Sequence, residues 1–204
     1  MKHKRKFFAF LILIVLVIEI KGQNNLFWDG EYFEINNLQD NKPNYKIDLT
    51  IKERTTATII MSGGNRIKLI SKNDTITKKI INNVILAYVK NGEVYLNCKK
   101  FKFQWFYSKC LSNGRYLIFK STISNDEAKS TMMFGGAVGG LVSATNMYLN
   151  VFDVKINMVA TLNYKTMSLI LDEFPEIKTK YEQHPEKESE SVLIDFIYKI
   201  NLKL

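Results

Sequence analysis

The sequence predicts an α+β domain, in which an antiparallel sheet of about seven to nine strands is followed by roughly two or three short helices packed on it. Three observations lead there. Apolar and polar residues alternate through much of residues 45–163, the period-two pattern of half-buried strands. Asn91-Gly92 sits between two strand-type runs, Val84 to Lys90 and Glu93 to Cys98, and supplies the positive φ angles of a tight hairpin turn. Beyond residue 164 the apolar spacing becomes that of helices.

The chain opens with what reads as a secretory signal peptide, residues 1–22. Lys2, Lys4, Arg5 and Lys6 form a positive start, and Phe7 to Ile18 is an unbroken run of twelve apolar residues. Polarity then returns, with the small Gly22 at the cleavage point. A spanning helix needs about 20 apolar residues, so cleavage is favoured over an uncleaved anchor that retains the chain, although Ile20 stands where a small residue is usual. No cysteine lies near that point, so the chain is not read as a lipoprotein. The expectation is export to the periplasm or outer envelope.

Residues 23–44 read as a leader and loop, 45–163 as the strand-rich part, and 164–204 as a helical part of the same domain. Ile47, Leu49 and Ile51 alternate with polar residues. Thr55 to Met61 reads as a second strand, and Ser62-Gly63-Gly64-Asn65 turns the chain into Arg66 to Ile70. Lys72-Asn73-Asp74 turns it again into Thr75 to Ile80. After the hairpin come Arg115 to Ser121, Tyr148 to Val154 and Met158 to Tyr164. Among the helices, Thr166 is placed to cap the first, and Pro175 suits the first turn of the second, with Ile177 and Tyr181 on one face. Ser189 or Ser191 caps a third, with Leu193, Phe196, Ile197 and Ile200 as its apolar stripe.

Three local features invite a functional reading. Phe101, Phe103, Trp105 and Tyr107 recur at period two among Lys99, Lys100, Lys102 and Lys109. Such a stripe is favoured as the inward face of a strand; the sharper alternative makes Phe103, Trp105 and Tyr107 a ligand-stacking surface, for a glycan rather than a nucleic acid. Cys98 and Cys110 are close enough in sequence to pair in an oxidising compartment, and a disulfide is favoured over two free, buried thiols. Residues 132–144 are apolar and glycine-rich, with Gly135 and Gly139, and Gly136 and Gly140, each at small-xxx-small spacing. A weakly structured apolar loop is the favoured reading there; contact with a membrane or a second copy is the alternative.

Charge and chemistry narrow the rest. The full chain carries 29 basic and 20 acidic residues, a net +9. Residues 1–22 hold five of the basic residues and one acid, leaving about +5, which is too mild to argue for nucleic acid. His184 is the sole histidine beyond the signal segment and lies in a polar run between helices. No His/Cys cluster has metal spacing and no strand–Gly-loop–Lys motif cradles phosphate, so no cofactor is called for.

The order Asn91-Gly92-Glu93-Val94-Tyr95-Leu96-Asn97-Cys98-Lys99-Lys100, Gly114-Arg115-Tyr116-Leu117-Ile118-Phe119, then Phe134-Gly135-Gly136-Ala137-Val138-Gly139-Gly140 and Leu169-Ile170-Leu171-Asp172-Glu173-Phe174-Pro175-Glu176-Ile177 resembles a family of uncharacterised exported proteins of Bacteroidetes-type bacteria. The resemblance covers roughly residues 80–204 and implies an envelope location but no activity. Two functions follow as expectations. The preferred one is a non-catalytic envelope protein that binds a protein, a glycan or a membrane surface. The other is a hydrolase of envelope glycans or lipids using carboxylates such as Asp172 and Glu173 or Asp126 and Glu127, a chemistry that needs two acids set across a cleft.

Overall fold

The computed structural model describes residues 27–72, 76–103, 105–122 and 147–204; the segments 1–22 and 132–144, with Asp126 and Glu127, lie outside them. Within those residues nine strands form two antiparallel sheets. The larger holds β1 (Gly30–Tyr32), β2 (Leu49–Glu53), β3 (Ile67–Ser71), β4 (Ala87–Lys90), β5 (Glu93–Asn97) and β6 (Tyr107–Lys109) in the order β1-β4-β5-β6-β3-β2. The smaller holds β7 (Tyr116–Ser121), β8 (Tyr148–Asp153) and β9 (Met158–Thr161) in sequential order. Helices α1 (Ile35–Gln39), α2 (Thr56–Ser62) and α3 (Lys78–Asn83) accompany the first sheet, and α4 (Tyr164–Leu171), α5 (Pro175–Glu182) and α6 (Glu190–Lys203) follow the second. This is the expected α+β arrangement of strands and late helices, with the strands divided between two sheets.

The period-two alternation of the strands produces the layering. Leu117, Phe119 and Phe152 point at Ala87, Val89, Val94 and Leu96 of the larger sheet, forming a core between the sheets. Their neighbours Tyr116, Ile118, Leu149 and Val151 point the other way, against Met167, Tyr181, Phe196 and Ile197 of the late helices. The far face of the larger sheet carries a third core, with Tyr88, Tyr95 and Tyr107 around Leu69 and Ile81. Each fully buried Leu, Ile or Phe contributes about 1.5–3 kcal/mol relative to an exposed one.

The sheets meet at β6, whose outer edge is shared. At one end Tyr107 pairs with Ile67 of β3; just beyond the other, Cys110 bridges Phe119 of β7 and the Leu111 N–H donates to the Ile118 carbonyl at 2.7 Å. The β4–β5 hairpin turns at Asn91 and Gly92, with φ of 53° and 75°. The Asp29 carboxylate accepts from both turn amides, at 2.9 and 3.2 Å.

Four stretches differ from the sequence expectation. The leader contains β1, because the buried Tyr32 anchors it with a hydroxyl that donates toward the Trp28 carbonyl and Asn41 Oδ1. Thr55 to Met61 is the helix α2, since the Thr55 hydroxyl accepts from the Thr58 N–H and starts a helix where the threonine content suggested a strand. Thr77 does the same for α3, so the strand expected up to Ile80 is absent among the described residues. Phe101 to Tyr107 is not an even stripe: Cys98–Phe101 is a 3-10 turn, and Lys102 and Phe106 both have left-handed backbones, with φ of 64° and 75°.

The expected disulfide is also absent. Cys98 and Cys110 are free and buried in the inter-sheet core. Cys98 heads the 3-10 turn, where its thiol lies 3.7 Å from the Leu96 carbonyl, so its neighbours there are apolar side chains and backbone.

The C-terminal helices follow expectation closely. Ser189 caps α6, Pro175 opens α5, and the predicted apolar stripe is buried. Asn163 rather than Thr166 caps α4, accepting from the Thr166 N–H at 3.0 Å. Two polar devices lock these helices to the small sheet. The Asn201 amide accepts from the Tyr116 N–H at 3.0 Å and donates to its carbonyl at 2.8 Å. Arg115 forks onto Asp153, with its closest contact at 2.8 Å, and reaches Glu173 at 2.6 Å.

Candidate binding groove

The 3-10 turn and the loop after it build the most distinctive surface of the molecule. Phe106 is bulky and unbranched at Cβ, and its left-handed φ costs energy that surrounding contacts must hold in place. Those contacts are specific. The Asn65 N–H donates to the Trp105 carbonyl at 2.7 Å, and the Cys98 N–H donates to the Phe106 carbonyl at 3.1 Å. The Arg54 guanidinium lies 4.4 Å above the Phe106 ring and donates to the Asn65 carbonyl at 2.8 Å and to Ser62 Oγ at 2.6 Å. Gly64 leaves the space this loop needs, because a Cβ there would stand 2.7 Å from the Phe106 ring.

The constrained loop forms one wall of a groove of about 360 Å³ between β3, α3 and the 3-10 turn. Its lining is Lys68, Leu69, Lys78, Asn82, Asn83, Lys99, Trp105 and Phe106. The Trp105 side chain is 61% exposed. Lys99 donates to Asn83 Oδ1 at 2.6 Å, which fixes its ammonium in the groove. Lys68, Lys78 and Lys99 make no ion pair among the described residues. Lys68 also stands directly opposite Lys52 across the β2–β3 ladder, and like charges so placed are destabilising. The groove therefore has an exposed indole, three ammonium groups, two carboxamides and no carboxylate. Such a set accepts an anion that also has a flat or apolar face.

The structure distributes the residues singled out in the sequence unevenly. Trp105 and Lys99 meet in the groove. Phe103 turns inward to pack edge-on against Phe119 at 5.9 Å, and Tyr107 is buried with its hydroxyl donating to the Ile81 carbonyl. Lys109 pairs with Glu93 on the neighbouring strand β5, away from the groove lining. Lys68, Lys78 and Phe106 were missed, because they join the groove only through the β3–β6 pairing and the unforeseen α3. His184 is partly buried near the C-terminal helices, edge-on to Phe196.

Of the residues proposed for hydrolysis, Asp126 and Glu127 lie outside the described residues, and Asp172 and Glu173 are each held in an ion pair. Asp172 pairs with Lys178 at 2.6 Å, and Glu173 is held by Arg115, whose hydrogen bonds keep its carboxyl below the ordinary range. A general acid needs the opposite shift. Burial pushes both cysteine thiols up, which leaves them protonated and poor as nucleophiles or metal ligands. Among the described residues no group of three or more His, Cys, Asp or Glu side chains could hold a metal ion, and no helix is long and apolar enough to cross a membrane.

The model of a family of unknown function, DUF6563, matches residues 30–204. No curated protein and no solved structure matches the chain.

Proposed function

We propose, for a chain that belongs to the DUF6563 family of unknown function, that this is an exported, non-catalytic envelope protein whose groove binds an anionic glycan. The observation that carries the reading is the groove itself, in which Trp105 stands exposed among Lys68, Lys78 and Lys99. An indole offers a flat apolar surface to a sugar ring, and ammonium groups pair with its carboxylate or sulfate. The strained Phe106 backbone supports the same reading, since such conformations concentrate at ligand-binding sites. Export rests on the order of residues 1–22 and makes nucleic acid an unsuitable occupant.

Titration calorimetry of the chain from Gln23 onward with heparin oligosaccharides tests this. Trp105→Ala weakens binding about tenfold or more, as for an aromatic hot spot, and leaves the unfolding temperature nearly unchanged because the side chain is mostly exposed. Equal affinity of Trp105→Ala and the parent, or no binding by either, overturns the assignment.

A further inference from the structure

The 3-10 turn has a second basic side. A 3-10 helix has three residues per turn, so consecutive side chains leave it about 120° apart. Lys99 therefore enters the groove already described, while Lys100, with Lys102 just beyond the turn, lines another, of about 690 Å³, on a different flank. That second groove is lined by Phe33, Ile35, Phe101 and Val159 with the two lysines, and Glu34 is its one carboxylate. Glu34 makes no side-chain hydrogen bond as the cap of α1. Neither Lys100 nor Lys102 forms an ion pair among the described residues, and both are exposed.

From this placement of neighbouring lysines in two grooves we infer that the two form one extended site for a linear polyanionic polysaccharide, which crosses the crest of the turn at Lys99 and Lys100. The inference rests on the anionic-glycan reading of the first groove and adds the form of the ligand. A monosaccharide or a short oligomer needs one groove only. The lysines on both flanks of a single turn of backbone match a chain bearing charge at regular intervals, because such a chain continues past the first groove and meets cations wherever it goes. The left-handed backbone of Lys102 assists, since it reverses the chain after the 3-10 turn and holds that ammonium on the second flank. Linking two weak subsites through one ligand raises affinity by about 10²-fold or more without any new kind of contact.

The test is a length series of size-fractionated heparin oligosaccharides, from disaccharide to dodecasaccharide, bound to the chain from Gln23 onward at fixed ionic strength. Affinity is expected to rise steeply once the oligomer is long enough to cross the turn. In a Lys100→Ser/Lys102→Ser variant the rise disappears while disaccharide affinity stays at the parent value. In a Lys68→Ser/Lys99→Ser variant the disaccharide is lost as well. A Lys165→Ser/Lys180→Ser control, on the C-terminal helices, removes the same charge elsewhere and leaves the series unchanged. Disaccharide and dodecasaccharide binding equally well, or a rise that survives Lys100→Ser/Lys102→Ser, overturns the extended site and leaves the first groove standing. An equal loss in the control variant reduces the effect to general basicity and overturns it too. Absence of binding at every length removes the glycan reading on which the inference stands.

Discussion

Replacing Asn201 with alanine isolates the contact that fastens the last helix to the small sheet. The amide of Asn201 is the partner of both backbone groups of Tyr116, and the side chain is buried. The two groups respond differently to its loss. The Tyr116 carbonyl keeps a bond from Ser112 Oγ at 2.8 Å, whereas its N–H is left without the Asn201 oxygen. An orphaned buried donor costs about 1–3 kcal/mol and the second, partly replaced bond about 0.5 kcal/mol more. For a domain of this size each kcal/mol moves the unfolding midpoint by about 2–4 °C, so Asn201→Ala lowers Tm by roughly 5–10 °C. Gly114 sharpens the argument. It has φ of +134°, and a Cβ there would meet Asn201 Cγ at 2.6 Å and Oδ1 at 2.7 Å. Gly114→Ala is therefore destabilising on its own, and less so in the Asn201→Ala background, where those two atoms are gone. A thermal unfolding cycle followed by circular dichroism measures both effects. A Tm for Asn201→Ala within about 2 °C of the parent, or strict additivity with Gly114→Ala, refutes the reasoning.

Other perturbations follow from the same structure. Arg115→Ala strands the buried Asp153 carboxylate and costs about 3–5 kcal/mol, whereas Glu173→Gln, on the exposed partner, costs about 0–1 kcal/mol; similar urea midpoints for the two variants contradict this. Burial raises the pKa of Glu31 in the folded state, against a smaller opposing bond from the Ile47 N–H. The folded protein thus holds that proton more tightly than the unfolded chain, and stability falls as pH rises from the unfolded value toward the raised one. Glu31→Gln gains on the parent as pH rises above the ordinary carboxylate range, and a difference that does not change with pH there counts against the shift. Thiol titration of the folded protein should find Cys98 and Cys110 unreactive, and titration in denaturant without reductant should find both free. The alternative reading of residues 132–144, contact with a membrane or a second copy, expects Gly136→Asp/Gly140→Asp to release the protein from washed membranes or from self-association; unchanged fractionation and size leave the loop reading.

Much of the fold was legible because its elements carry local chemistry. Asn91-Gly92 names its own turn, and Pro175 and Ser189 mark helix starts wherever the chain later packs. The misread stretches lack such markers or carry misleading ones. Thr55 and Thr77 look like strand residues until their hydroxyls cap α2 and α3. The aromatic spacing at 101–107 matched a strand, but two left-handed residues break the alternation and send Phe103, Trp105 and Tyr107 in three directions. The groove was half visible. Its lysine and tryptophan at positions 99 and 105 lie within one short run, while Lys68 arrives through strand pairing, which no local pattern encodes.

Strand β7 has an apolar cluster on each face, and the two clusters recruit opposite ends of the chain: Tyr32 and Val89 upstream, Phe196 and Ile197 downstream. Vectorial synthesis delivers these partners in sequence. When β7 emerges from a ribosome its upstream layer is already available, but the cover over Ile118 is complete only once α6 has been made. The order of synthesis therefore separates a step that the native packing performs at once. Closure of the domain waits on the last helix, and for the export we propose, that delay keeps the chain in the open form a translocation channel accepts.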